Sequence, residues 1–178
     1  MAVIEAIATT YLEADAASVT FSGIPSTYEH LQLRISAHIT EASDVEYFYM
    51  RFNDDTATNY SSHFMKGEAS TAGAQANTGQ NYIFSRYFPA NSVAGSAPHY
   101  GVMVMDIFDY ANTNKNTTVQ WTTGFNLSAT VTGVRFCSGL WDSTAAVDEI
   151  YLAPDNTIPP DFDWTRGSEF TLYGLNSS

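Results

Sequence analysis

Four histidines and 19 acidic residues are the side chains with the most scope for chemistry in this 178-residue chain. His30 and His38 occupy polar positions of one alternating stretch. Strand rise would set them about 27 Å apart, beyond the reach of a single metal ion. His63 and His99 fall in other segments, and neither His-x-His nor His-Glu-x-x-His spacing occurs. The carboxylates offer more: Asp106 and Asp109 flank Ile107-Phe108, Asp54-Asp55 sits in turn chemistry, and Asp161-Phe162-Asp163 follows two prolines. Two carboxyl groups across a cleft, one kept protonated by burial, would cleave a glycosidic bond. Oxygen ligands at Asp161 and Asp163 would suit calcium, but the ordered spacing of a calcium loop is missing. So many acids in a short chain fall near one another by chance. The residues therefore point to no catalytic group, no cofactor and no metal, and to no enzyme.

The glycine patterns of nucleotide-binding loops and of a serine nucleophile elbow do not occur. Cys137 is the sole cysteine, which rules out an intrachain disulfide and a cysteine-built zinc site. It reads as a small buried apolar group on a strand. Formal net charge is −12, and the two lysines and five arginines form no basic stripe. A phosphate-tracking surface needs clustered cations, so nucleic acid is not an expected partner. An anionic membrane surface is disfavoured for the same reason. No apolar run approaches the roughly 20 residues that a spanning helix needs. The opening Met1-Ala2-Val3-Ile4-Glu5 has neither a basic leader nor a long apolar stretch, so no signal peptide is expected. The Asn-x-Ser/Thr triplets at Asn59, Asn116, Asn126 and Asn176 then reflect a composition rich in Asn, Ser and Thr.

The elements that would position these groups are strands. Leu31, Leu33, Ile35 and Ala37 alternate with His30, Gln32, Arg34, Ser36 and His38. Phe48, Met50 and Phe52 alternate with Tyr47, Tyr49 and Arg51. A period of two means one buried and one wet face. Strands are expected at about Val3–Leu12, Ala17–Phe21, Glu29–His38, Glu46–Phe52, Tyr60–Lys66, Asn81–Tyr87, Tyr100–Tyr110, Thr117–Asn126, Val131–Leu140, Asp148–Leu152 and Glu169–Tyr173. Turn residues such as Gly23-Ile24-Pro25, Asn53-Asp54-Asp55 and Asn112-Thr113-Asn114 separate them. Helix has room only in short pieces, at Thr40–Asp44 or Ser143–Val147. The prediction is a single all-β domain over residues 1–178, an antiparallel two-sheet sandwich of jelly-roll type.

Two stretches read as surface loops: Gly67–Gln80, small and polar, and Pro89–Pro98, bounded by prolines. Tyr100–Tyr110 is apolar on both faces, with Met103, Met105 and Ile107 against Val102, Val104 and Phe108. Such a strand needs cover on both sides, from a loop of the same chain or from another subunit. Tyr47, Tyr49 and Arg51 are candidates for a contact surface, where Tyr and Arg are favoured. Trp121 reads as core, Trp141 ends an apolar strand, and Trp164 lies in a loop where it could serve a sugar platform.

Several phrases then align, in order, over nearly the whole chain. Ala17-Ser18-Val19-Thr20-Phe21-Ser22-Gly23-Ile24-Pro25 leads into His30-Leu31-Gln32-Leu33-Arg34. Arg51-Phe52-Asn53-Asp54-Asp55 with Asn59-Tyr60-Ser61 comes next, followed by Asp106-Ile107-Phe108-Asp109-Tyr110 with Asn112-Thr113-Asn114-Lys115. Ser138-Gly139-Leu140-Trp141 and Gly167-Ser168-Glu169-Phe170-Thr171-Leu172-Tyr173 close the series. The series resembles small virion structural proteins of tailed bacteriophages. After Lys115 relatives often carry further cations, whereas here Thr117-Thr118 follows.

The resemblance implies a role as capsid cement (decoration) protein or as tail or fibre component, and brings no catalytic residue. The charge of −12 opposes packed DNA inside a shell, so the expected place is the outer surface of the head. A compact chain with no shaft suits a knob over capsid subunits. The expected function is noncovalent cementing of major capsid protein subunits by a homo-oligomer, expected to be a trimer. Contacts would come from Tyr47, Tyr49 and Arg51 and from the loops Gly67–Gln80 and Pro89–Pro98. The alternative is a tail or fibre component that binds host-surface glycan.

Overall fold

The computed structural model describes residues 3–41, 45–89, 99–128, 131–157 and 160–177. Strands form where apolar and polar residues alternate. They are β1 (Val3–Tyr11), β2 (Val19–Ser22), β3 (His30–Ala37), β4 (Val45–Phe52), β5 (Tyr60–Glu68) and β6 (Thr71–Gln80). β7 (Ile83–Pro89), β8 (Gly101–Phe108), β9 (Thr117–Asn126), β10 (Thr132–Trp141), β11 (Glu149–Ala153) and β12 (Glu169–Asn176) complete the order. Among the described residues there is no helix. Ser143–Val147 is irregular, and residues 42–44 of the other candidate helix lie outside the described residues.

One sheet runs β1-β12-β3-β8-β9-β10-β5-β6 and the other β2-β11-β4-β7. Every paired neighbour is antiparallel. The logic of the order emerges when β5, β6, β9 and β10 are set aside. What remains is β1-β12-β3-β8 over β2-β11-β4-β7, the eight-strand double Greek key of a jelly roll. The strand pairs β5–β6 and β9–β10 are insertions that widen the first sheet alone, as a wing in the order β9-β10-β5-β6.

The core lies between the sheets. Leu31, Leu33 and Ile35 of β3, Met103, Met105 and Ile107 of β8, and Phe170 and Leu172 of β12 face Phe48, Met50 and Phe52 of β4 and Ile150 and Leu152 of β11. On the wing, Val119, Trp121, Phe64 and Cys137 join the same core. Trp164 is not at the surface. It is fully buried, bridged through its backbone to Ala16 and Ile39, with its ring edge-on to Phe88 and Phe170 at 5.4 and 5.3 Å. A loop tryptophan so enclosed cannot stack on a sugar.

Gly67–Gln80 is also not a loop. Gly67 and Glu68 end β5, Ala69-Ser70 make the turn, and the rest to Gln80 is β6 at the sheet edge. Small polar side chains cannot fill a core, but an edge strand wet on both faces is held by its backbone bonds to β5 and needs no buried side chain. Of the other expected loop, Pro89 closes β7, an edge strand where its missing N–H is tolerated. Residues 90–98 lie outside the described residues.

Candidate contact surfaces

The carboxylates singled out by sequence do not converge on a cleft. Asp106 accepts the Gln32 amide at 2.7 Å, and Gln32 in turn accepts Arg34 Nε at 2.8 Å. Asp109, at a left-handed φ of 50°, takes the Lys115 ammonium. Its backbone N–H donates to His30 Nδ1 at 3.0 Å. The Lys115 bond holds the Asp109 carboxyl below its usual range against an opposing effect of burial. Asp55 is likewise held low, and so is Glu29, by the hydroxyl and N–H of Ser177. A general acid needs the opposite shift.

Asp155 accepts Thr157 N–H and hydroxyl, both at 2.6 Å, and the N–H groups of Asp161 and Phe162 at 2.5 and 3.0 Å. Its four donors shape the turn that sequence suggested for calcium. Among the described residues no three His, Cys, Asp or Glu side chains cluster as a metal site. His38 is buried, while His30 and His63 lie on β3 and β5, with β8, β9 and β10 between them.

What the fold does build is two nonpolar surfaces on opposite outer faces. The first, on the smaller sheet, gathers Tyr47 and Tyr49 of β4 with Tyr82 and Phe84. Tyr49 meets Tyr82 edge-on at 4.7 Å and stacks on Phe84 at 6.1 Å, while Tyr47 lies 5.9 Å from both Tyr49 and Phe84. All four rings are half-buried. Burial pushes the Tyr49 hydroxyl far up from its ordinary value, with Tyr82 and Tyr47 adding to the shift. Sequence had placed Arg51 beside these tyrosines as a wet residue. It is only 5% exposed, and its Nε donates to the Asn81 carbonyl at 3.0 Å. Tyr82 and Phe84 carry no alternation signal strong enough to assign them to this cluster. Only the β4–β7 register, Tyr49 opposite Phe84, joins them.

The second surface is the outer face of the wing and of β8. Antiparallel register lines up Val104, Thr122, Phe136, Met65 and Ala74 in one row across five strands. Val102, Gly124, Val134, Gly67 and Ala72 form the next. Met65, Val102, Val104, Val134 and Phe136 are 40–58% exposed. They are five of the eight large hydrophobic side chains exposed among the described residues, and the other three belong to β1. The expected cover over Val102 and Val104 is therefore not supplied by a described loop. Beside these rows an open groove of about 520 Å³ runs past Ser61, His63, Ala76, Gln120, Ser138 and Leu140.

Charge on the wing is one-sided. Its strands carry only Lys66, Glu68 and Arg135 as charged residues, and alternation from buried Phe64 turns all three to the inner side. There Lys66 meets Glu68 at 2.6 Å, and the buried Arg135 guanidinium lies over the Phe64 ring at 4.0 Å.

No family model and no curated protein matches this chain. Among solved structures, a non-specific endo-β-1,3(4)-glucanase of family GH16, SCLam, aligns at 12% identity with a TM-score of 0.28. The alignment covers 89% of this chain and 61% of the glucanase, so the chain spans about three fifths of that protein's length. Peanut lectin in complex with a nine-residue peptide aligns at 10% identity with a TM-score of 0.19, covering 99% and 93% of the two chains. Likeness at these scores bears on neither substrate nor activity.

Proposed function

We propose that this chain is a structural protein of a tailed-phage virion, a cement protein on the outer surface of the head that holds major capsid protein subunits together without covalent bonds. The observation that carries the reading is the pair of nonpolar surfaces on opposite outer faces of one acidic sandwich. A cementing brick has to touch more than one neighbour. The resemblance of the ordered sequence phrases to phage virion proteins points the same way. The charge of −12 favours the outside of a DNA-filled shell. The aromatic cluster of Tyr47, Tyr49, Tyr82 and Phe84 is the surface offered to the shell, where rigid rings supply contact area at small entropic cost. The assembly on the shell is homo-oligomeric, with a trimer as the expected form.

The test is a comparison of particles made with and without the chain. Particles lacking it should assemble, then release DNA at lower temperature and on milder osmotic shock. Equal fragility would overturn the reading. The half-buried tyrosines also suit a second reading, a tail or fibre component that stacks on host glycan. Antibody labelling of intact particles separates the two, since label confined to the tail rejects cement and label confined to the head rejects the fibre.

A further inference from the structure

We infer that the outer face of the wing is a homotypic interface, on which a second copy of this chain seats against Met65, Val102, Val104, Val134 and Phe136. The inference does not rest on a virion role and concerns the opposite face from the aromatic cluster.

Charge decides the occupant. Two bodies of net charge −12 repel across most of their surfaces, and at close approach screening over about 8 Å does not remove that repulsion. Self-contact is feasible only where like charges stay away from the seam. The wing strands turn Lys66, Glu68 and Arg135 inward and leave no Asp, Glu, Lys or Arg on the outer side. A basic partner would be drawn to carboxylates, and an acidic partner or a nucleic acid to cations. The centre of this face offers neither. The charges that border it, Asp106 of β8 and Arg34 opposite Val104, are of opposite sign and lie at one edge, so the uncharged wing is a surface that two acidic copies can share.

Shape and extent agree. Stacked sheets sit about 10 Å apart, which requires a relief of side chains without long projecting charges. Phe136 and Met65 stand among Val102, Val104 and Val134, while Ala72, Ala74, Gly67 and Gly124 keep the flanks low. Five strands and the two nonpolar rows give a patch of about 24 by 14 Å, which the polar rows through Gln120, Ser138 and His63 and through Thr118, Leu140 and Ser61 extend to a flat face of about 24 by 24 Å. With side-chain relief this approaches the roughly 800 Å² per partner of a standard interface. Large hydrophobics gathered on one sheet face, rather than scattered singly, mark an association surface.

The fold itself supports the assignment. A jelly roll closes its core with eight strands, and β5, β6, β9 and β10 are additional. Three of the five exposed anchors, Met65, Val134 and Phe136, lie on those inserted strands. The insertions widen one sheet and furnish its outer face.

The experiment is the mass in solution of the purified full-length chain, by light scattering and sedimentation equilibrium across a concentration series. An oligomer is expected, and its mass reports whether copies meet as a pair or around a higher axis. Phe136→Glu and Val134→Glu should each raise the dissociation constant at least about a hundredfold, the effect of a central anchor. Their circular dichroism should remain native because both side chains already face solvent. Thr20→Glu, on the other sheet, should leave the mass unchanged. Should a glutamate variant fail to fold, Thr122→Cys gives a second measurement: a short bis-maleimide should link copies through position 122 and not through Thr20→Cys. A wild-type chain that stays monomeric over the series, or an oligomer that survives both glutamates and yields no cross-link at 122, overturns the inference. Neither result depends on where the chain sits on a particle.

Discussion

Asp55 accepts the indole N–H of Trp141 at 2.7 Å, across 86 residues of sequence. The bond joins the turn after β4, in the smaller sheet, to the last residue of β10, in the larger one. The same carboxylate accepts Asn59 Nδ2 and the Ala57 N–H, both at 2.9 Å. Burial opposes ionisation of Asp55, but these donors outweigh it and hold the carboxyl below the ordinary 3.8. A carboxyl depressed by folding stabilises the native state above its unfolded value, and the gain is lost as pH falls through the folded value. Asp55→Ala leaves the buried Trp141 N–H without an acceptor and should cost about 1–3 kcal/mol at neutral pH. Urea titrations should show the gap between variant and wild type closing at pH values below 3.8. A gap independent of pH would refute the assignment.

His38 titrates in a different window. It is buried beside Tyr100, with ring centroids 5.9 Å apart, and its Nδ1 has no hydrogen-bond partner among the described residues. Burial, reinforced by His99 and opposed by Asp15, pushes its pKa below the ordinary 6.5. The unfolded chain then binds the proton more readily, so native stability falls as pH drops from 6.5 toward the lower folded value and levels off below it. His38→Gln should flatten that part of the stability curve and leave the Asp55 part intact. Chemical denaturation from pH 7 down to about pH 2 reads both.

Most of the fold was legible because most strands bury one face. Leu31, Leu33 and Ile35, and Phe48, Met50 and Phe52, are the buried sets that alternation predicts. β6 was not legible, because Thr71, Ala72, Gly73 and Ala74 bury nothing and the strand exists through its backbone bonds to β5. Trp164 looked exposed because its segment is irregular. Its burial follows from long-range bridges to Ala16 and Ile39 that no local pattern encodes. The wing face was half legible. Val102 and Val104 declared themselves as the second face of one strand, but Phe136 and Met65 join them only through the register of β8, β9, β10 and β5. Arg51 shows the converse error: alternation placed it on the wet face, and it is buried there with its Nε on the Asn81 carbonyl.

Gly139 of β10 lies against its own sheet neighbour β9 and against Ile83 of the smaller sheet. A Cβ at this position would lie 2.9 Å from Val119 Cγ2, 3.2 Å from Trp121 Cζ3 and 3.3 Å from Ile83 Cδ1. Gly139→Ala should therefore destabilise by about 1–3 kcal/mol through overpacking. Ile83→Val removes one of the three obstructing carbons, the Cδ1 methyl. The double variant should be more stable than the sum of the two single losses predicts, as contacting residues couple. Strict additivity in thermal melts would show that the sheets part freely at this point.

Arg51 and Tyr47 stand on the same face of β4 and should answer differently to truncation. Arg51 is buried and its Nε satisfies the Asn81 carbonyl at 3.0 Å, just before β7 begins. Arg51→Ala removes a charge-assisted bond and opens space, for a loss of about 1.5–3 kcal/mol. Arg51→Lys should recover little of it, because an ammonium at the end of a flexible stem lacks the fixed Nε donor. Tyr47 is half-buried, and its ring meets Tyr49 and Phe84 at 5.9 Å. Tyr47→Ser should cost less than Arg51→Ala, on the order of 1 kcal/mol, the worth of edge aromatic pairing. Equilibrium unfolding of the three variants decides the matter. If Tyr47→Ser proves the more damaging, Arg51 is not the residue that ties β4 to the start of β7, and the aromatic cluster is scaffold rather than contact surface.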